Sequence, residues 1–134
     1  MVIKSPIRVE GTEELMRKLG PERIKNPVQE AIKKITKFLM DTVRVSTPVD
    51  TARLRSNITS KVIGETGEVA TNVEYAPFVE YGTVRMEARH VMMGTSRRIF
   101  GEGMFTYSIG QLRHHIDDFT KDLGDKIKVA LRKD

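Results

Sequence analysis

STPVDTARLRSNI, residues 46–58, is the stretch that decides the fold, together with TNVEYAPFVEYGT at residues 71–83. Pro48 predicts that the preceding helix ends at or before Thr47, because the residue before a proline disfavours helical backbone angles. Asp50 is placed to cap a single helical turn. Pro77 and Gly82 bracket a second short turn of helix in the downstream stretch.

Between these two stretches, successive side chains alternate between two faces in the pattern of a β-hairpin. Ile58 to Ile63 reads as one strand, and Glu68 to Val73 reads as the returning strand. Gly64 to Gly67 supplies turn chemistry, so the sequence predicts a hairpin with a four-residue loop.

A long amphipathic helix precedes the hairpin. Asn26 is the predicted N-cap and Pro27 the first helical residue. Apolar residues then recur at steps of four, three, four and four, which places them on one helical face: Val28, Ile32, Ile35, Leu39 and Val43. Lysines and Arg44 occupy the opposite face.

The two ends of the chain also carry patterns. The first ten residues indicate a short edge strand or an extended arm, because Pro6 cannot donate to a strand ladder. Thr12 to Leu19 indicates a short helix. From about Ile109 to Leu131, apolar residues again keep helical spacing and predict a second long helix.

Long helices on either side of a contiguous strand region predict an α+β fold, a small antiparallel β-sheet with two long amphipathic helices packed on one face. The length of 134 residues fits a single domain, 1–134. Within it we assign 1–10 as an N-terminal strand or arm. Residues 83–109 are glycine-rich, and we assign them as a flexible interface loop.

The composition excludes several classes of protein. There are no cysteines, which removes disulfides, thiolate metal sites and cysteine nucleophiles. No window approaches the roughly 20 apolar residues of a membrane span, so we expect no membrane partner. The net charge of +5 is compatible with nucleic acid, but it is spread along the chain without a recognisable nucleic-acid-binding motif.

Catalytic and metal-binding patterns are also missing from the sequence. His114 and His115 are adjacent, so on a helix they diverge by about 100° and cannot share a metal as an i, i+4 pair does. Asp117 and Asp118 diverge in the same way, and no serine lies in a nucleophile motif. We therefore expect no enzyme activity, no metal and no cofactor.

One segment has the composition of a protein interface. Residues 83–100 hold four arginines against the single acid Glu87, with methionines between them and Phe105 close behind. An interface and a solvated loop whose methionines fold back on the core are both compatible with this pattern. The candidate interface residues are Arg85, Arg89, Met92, Met93, Arg97, Arg98 and Phe105.

The stretches at 46–58 and 71–83 resemble the HK97 gp10-like family of phage tail and head–tail joining proteins. That family shows a long helix ending in a P-V-D-T-G-x-L-R motif, a hairpin, a Y-A-x-Y-V-E-x-G-T motif, an arginine-bearing segment and a final long helix. The resemblance extends over roughly residues 12–131. Ala52 stands where the family often has glycine, and Glu87 and His90 replace prolines.

The resemblance implies a structural virion protein at the neck or tail of a phage or prophage, assembled in the host cytoplasm. Its implied partners are other neck and tail proteins and further copies of itself in a ring, with non-specific contact to passing DNA. The rival hypothesis is a small basic nucleic-acid-binding module, whose only support is the charge of +5.

Overall fold

The computed structural model describes residues 3–8, 21–48 and 52–132 of the chain. The described elements follow in chain order: β1 (Ile3–Arg8), α1 (Pro21–Ser46), α2 (Ala52–Ser56), β2 (Thr59–Ile63), β3 (Thr66–Thr71), α3 (Ala76–Tyr81), β4 (Arg89–Val91), β5 (Arg98–Phe100) and α4 (Met104–Arg132). The predicted helix at Thr12 to Leu19 and the predicted cap Asp50 lie outside the described residues.

The strands form two antiparallel sheets. The larger sheet has the order β1-β3-β2, so the N-terminal strand is an edge strand as predicted. Ile3 of β1 lies opposite Thr71, and Arg8 lies opposite Thr66. The smaller sheet pairs β4 with β5. Both of its strands lie within residues 83–109, which the sequence indicated to be a flexible loop.

Helix α1 confirms the predicted apolar face, since its five predicted residues are at most 6% exposed. Its end at Ser46 also agrees with the position of Pro48. The predicted start is wrong. The helix begins at Pro21, and Pro27 lies inside it. Proline is equally suited to the first helical position at either site, so the local pattern did not separate the two starts.

The hairpin of β2 and β3 is confirmed, but its loop has two residues and not four. Ile63 pairs with Thr66 and Val62 pairs with Gly67, which leaves only Gly64 and Glu65 between the strands. Gly64 has a φ of 57°, as expected of a glycine that opens a type II′ turn. Gly67 instead allows the strand to approach α1, because a Cβ there would clash with Thr36 Oγ1.

The two long helices pack on the same side of the larger sheet, which confirms the α+β prediction. Ile35, Leu39 and Val43 of α1 share the main core with Val69 of β3 and Leu112 of α4. Val28 and Ile32 form a second cluster that contacts Val62 of β2 and Leu123 of α4. No helix among the described residues has both the length and the apolar character needed to cross a membrane.

Candidate assembly interface

The final helix is capped by a carboxylate from a distant element. Glu80 of α3 is 5% exposed. Its carboxylate accepts the backbone N–H of Phe105 at 2.7 Å and that of Thr106 at 3.0 Å. It also accepts the Thr106 hydroxyl. A carboxylate at a helix N-terminus satisfies orphan N–H groups and opposes the helix dipole. We call this contact the Glu80 clasp.

The Glu80 clasp corrects the predicted end of the 83–109 loop. With Glu80 supplying the cap, α4 begins at Met104, so 104–109 are helical and not part of a loop. The clasp also joins the two ends of the intervening segment, residues 83–103. This segment forms the β4–β5 hairpin and its flanking loops, and we call it the hairpin finger.

His90 and Tyr107 hold the inner side of the hairpin finger. His90 is 2% exposed, and its Nδ1 donates to the carbonyl of Glu102 at 2.7 Å. Its ring stacks on Tyr107 with the centroids 4.0 Å apart. The Tyr107 hydroxyl accepts the N–H of Met93 at 3.1 Å. His90 therefore supports the finger structurally, and the described residues contain no cluster of side chains suited to a metal ion.

A tight loop at the start of the finger presents two apolar side chains to solvent. The Thr83 hydroxyl accepts the N–H groups of Arg85 and Met86, and the Thr83 N–H donates to the Met86 carbonyl at 2.6 Å. Val84 at its tip is fully exposed, and Met86 is 52% exposed. Internal hydrogen bonds therefore fix a loop whose apolar side chains face water.

Most of the predicted interface residues are exposed on the finger. Residues 92–98 are all exposed, and Arg85 is exposed in the loop before them. Arg89 is half-buried, and its Nη1 donates weakly to the Glu87 carbonyl at 3.5 Å. Across the strand pair, Val91 lies opposite Arg98. The structure thus brings together on one finger Arg85, Arg89, Met92, Met93, Arg97 and Arg98.

Phe105 does not belong to this surface. It is 2% exposed and packs in the main core with Leu112 and Val79. Its position in the first turn of α4, directly below the Glu80 clasp, turns its ring inward. The sequence predicted a loop at residue 105, because no local signal shows that the helix begins before it.

Other exposed apolar side chains extend the candidate surface beyond the predicted residues. Phe78 and Tyr81 are 54% and 70% exposed, and Phe100 of β5 is 58% exposed. In α3, Phe78 and Tyr81 are three residues apart and share one helical face, while Ala76, Val79 and Glu80 are buried. The three-residue spacing of Phe78 and Tyr81 was the signal in the sequence that could have identified this surface. Neither Phe78 nor Tyr81 was among the interface residues predicted from the sequence.

Ion pairs elsewhere join the elements that support the finger. Arg53 contacts both carboxylate oxygens of Glu74, at 2.7 and 2.8 Å. This hydrogen bonding raises the pKa of Arg53 and lowers the pKa of Glu74. Lys34 of α1 donates to Asp122 of α4 at 3.2 Å, and this contact lowers the pKa of Asp122.

Comparison with known proteins identifies the family. The model of the family described as "Bacteriophage HK97-gp10, putative tail-component" matches residues 12–82. The chain belongs to the HK97-gp10-like family. The chain is therefore a structural protein of the bacteriophage tail-component class. Searches among curated proteins and among solved structures found no match.

The extent of the HK97-gp10-like match separates two parts of the chain. It ends at Gly82, whereas the sequence resemblance was traced to about residue 131. The matched part holds α1, the β2–β3 hairpin and α3, which includes the clasp residue Glu80. The hairpin finger and α4 follow the matched part. In this HK97-gp10-like protein, the shared motifs therefore build the base on which the finger stands.

Proposed function

We propose that the chain is a head–tail joining or tail-completion protein that assembles as a ring at the phage neck. It is made in the host cytoplasm and retained in the virion. Its partners are neighbouring neck and tail proteins and further copies of itself. The single domain of residues 1–134 acts in this proposal as a building block, and the hairpin finger is its main contact surface.

The observation that carries the proposal is an ordered finger with an exposed apolar and basic surface. Large apolar side chains and arginines are enriched where protein partners bury surface. Because hydrogen bonds already hold the finger in shape, little conformational entropy remains to be lost on binding. Such a surface suits a protein that contacts other proteins permanently. The interface set is now Phe78, Tyr81, Val84, Arg85, Met86, Arg89, Met92, Met93, Arg97, Arg98 and Phe100.

The exposed arginines also support non-specific contact with DNA that passes through the ring. Arg85, Arg97 and Arg98 are exposed, and Glu87 is the only acid in residues 83–100. Phosphate contacts of this kind carry no sequence information and weaken steeply with salt. We therefore expect weak binding to any duplex, abolished by moderate salt. Tight, sequence-dependent binding would instead favour the nucleic-acid-binding module.

Deletion of the gene in its phage or prophage tests the proposal. We expect filled heads and complete tails to accumulate without joining, because both assemble separately before the neck is completed. Electron microscopy of the lysate scores the two kinds of particle. Joined, infectious particles that form without the protein would refute a role at the neck, and re-expression from a plasmid is the control.

A further inference from the structure

β2 forms one edge of the larger sheet, and its outer side is open to solvent. In the order β1-β3-β2, the only strand among the described residues that pairs with β2 is β3. Thr59, Ser60, Lys61 and Ile63 are exposed, and Val62 is half-buried. An open strand edge presents backbone N–H and C=O groups to which another strand can bond. We call this feature the β2 edge.

The register shows which backbone groups the β2 edge presents. The two-residue turn closes on Ile63 and Thr66, which makes them a hydrogen-bonded pair. Because such pairs alternate along an antiparallel ladder, Lys61 also bonds to β3, whereas Ser60 and Val62 point their N–H and C=O groups outward. No side chain of the described residues bonds to these outward groups. They are therefore available to an added strand.

The opposite edge of the sheet is closed to such an addition. Glu68 bonds toward β2, so it cannot also bond toward β1, and Pro6 lies opposite it. The backbone nitrogen of Pro6 therefore points away from the sheet, and it carries no hydrogen to donate. Proline at this position interrupts regular pairing on the outer side of β1. The sheet can therefore gain a further strand at the β2 edge and not at β1.

Lys61 opposes a second copy as the occupant of the β2 edge. Two β2 strands that pair about a two-fold axis through both Ser60 and Val62 place their Lys61 side chains directly opposite each other. Like charges in that position destabilise a strand pair, and lysine on an edge strand guards against self-association. The outer side of β1 in a second copy is blocked by Pro6. A strand that carries a carboxylate opposite Lys61 is instead attracted to it.

The outer face of β2 defines the side chains that suit an added strand. Thr59, Lys61 and Ile63 share this face, since side chains alternate along a strand. Lys61 pairs with Glu68 at 3.5 Å, and its ammonium has further N–H donors for a second carboxylate. Ile63 is 64% exposed and presents an apolar surface beside it. Because cross-strand pairs favour opposite charges and apolar or β-branched contacts, the matching strand has an acidic residue between two such residues at alternate positions.

We propose that the β2 edge binds an extended strand of a neighbouring neck or tail protein, and that an acidic side chain of this strand pairs with Lys61. The inference rests on the proposed function and names the chemistry of one partner. Backbone hydrogen bonds supply the affinity, and Lys61 with Ile63 fixes the register of the added strand. The hairpin finger and the β2 edge are then two separate contact surfaces of one protein.

Ser60→Pro tests the backbone contact. It removes an outward N–H and leaves the hydrogen bonds between β2 and β3 in place, as Pro6 does at the other edge. We expect a circular dichroism spectrum and a melting temperature close to those of the wild type, and a loss of joined particles of about tenfold or more in complementation of the deletion. Ser60→Ala keeps the N–H and is the matched control, which should complement normally. Full complementation by Ser60→Pro, or an equal loss with Ser60→Ala, overturns the backbone contact.

Photo-crosslinking in assembled particles identifies the occupant and does not depend on tolerance of a proline. Benzoylphenylalanine replaces the exposed Thr59 in the plasmid copy, and mass spectrometry of irradiated particles identifies the attached peptide. We expect a segment of another virion protein in which an acidic residue is flanked at alternate positions by apolar or β-branched residues. Lys61→Glu should then lower the number of joined particles, and exchange of that acidic residue for lysine in the partner should restore it.

Other results separate the strand contact from the neck function. Adducts with a second copy of this chain, or no adduct in joined particles that contain the protein, overturn the strand contact and leave the neck function standing. Failure of the charge exchange to restore joined particles does the same. Joined particles that lack the protein overturn both.

Discussion

Glu80 is the residue on which the position of the hairpin finger depends. It lies in the matched part of the chain, yet its partners are Phe105 and Thr106, far along the sequence. The sequence motif around residues 75–82 therefore has two sides. Its buried side builds and caps the fold, and its exposed aromatic side chains, Phe78 and Tyr81, extend the contact surface.

Replacement of Glu80 by alanine should destabilise the protein by about 3 kcal/mol, because one buried and one partly buried N–H group lose a charged acceptor. Glu80→Gln keeps one acceptor oxygen and should cost roughly half as much. Urea denaturation followed by circular dichroism measures both. Glu87→Ala, at an exposed position nearby, serves as the control and should change the free energy of unfolding by less than about 0.5 kcal/mol. Equal stability of Glu80→Ala and the wild type would contradict the clasp.

The packing of α1 against α4 is reinforced by an exposed ion-pair network of Lys34, Asp122, Lys126 and Glu30. The pKa of Asp122 is lowered, chiefly by the hydrogen bond from Lys34. A group whose pKa is lower in the folded state contributes stability above its unfolded pKa of about 3.9. That contribution is lost as the pH falls through the folded pKa.

We therefore expect Asp122→Asn to lower the melting temperature modestly at pH 7. The difference from the wild type should shrink in high salt, because the pair is exposed. It should also vanish in acid, below the folded pKa of Asp122. Differential scanning calorimetry across pH checks this. Asp125→Asn, which removes an exposed carboxylate outside the network, is the matched control, and an equal effect of both variants at pH 7 would contradict the account.

We expect that the loop between β4 and β5 can be shortened without loss of the fold. Residues 93–96 are exposed, and the Met92 N–H already donates to the Arg97 carbonyl at 3.0 Å. Replacement of residues 93–96 by Asn-Gly should therefore close a regular hairpin. We expect the circular dichroism spectrum to be retained and complementation of the deletion to fail, because the exposed end of the hairpin finger, with Met93, is removed. A shortened variant that complements fully would contradict the role of the finger.

Local patterns predicted the elements whose information is local. The apolar spacing from Val28 to Val43 gave α1, and Pro77 and Gly82 gave α3. The start of α4 could not be predicted in this way, because its cap comes from Glu80 in another element. The length of the turn at Gly64 was wrong for a similar reason. Gly67 is required for close packing of the strand against Thr36 of α1, and not for the turn. The composition of residues 83–100 identified the arginines and methionines of the finger. Phe105 was wrongly grouped with them, because the sequence did not show that α4 begins at Met104.

At the scale of the whole molecule, the chain has two parts. One is a base that is shared with the family, and the other is a contact surface. The family match covers the base, and the hairpin finger projects from it between α3 and α4. The central claim is that this finger joins the protein to its neighbours while the rest of the chain holds it in place.

The most direct measurement is complementation of the gene deletion by Arg97→Glu/Arg98→Glu, scored by electron microscopy for joined particles. The control is Lys25→Glu/Lys33→Glu, which makes the same charge change at exposed positions of α1. We predict that both proteins fold, that the control restores joined particles, and that the finger variant leaves heads and tails separate. Joined particles in normal numbers from the finger variant would contradict the central claim.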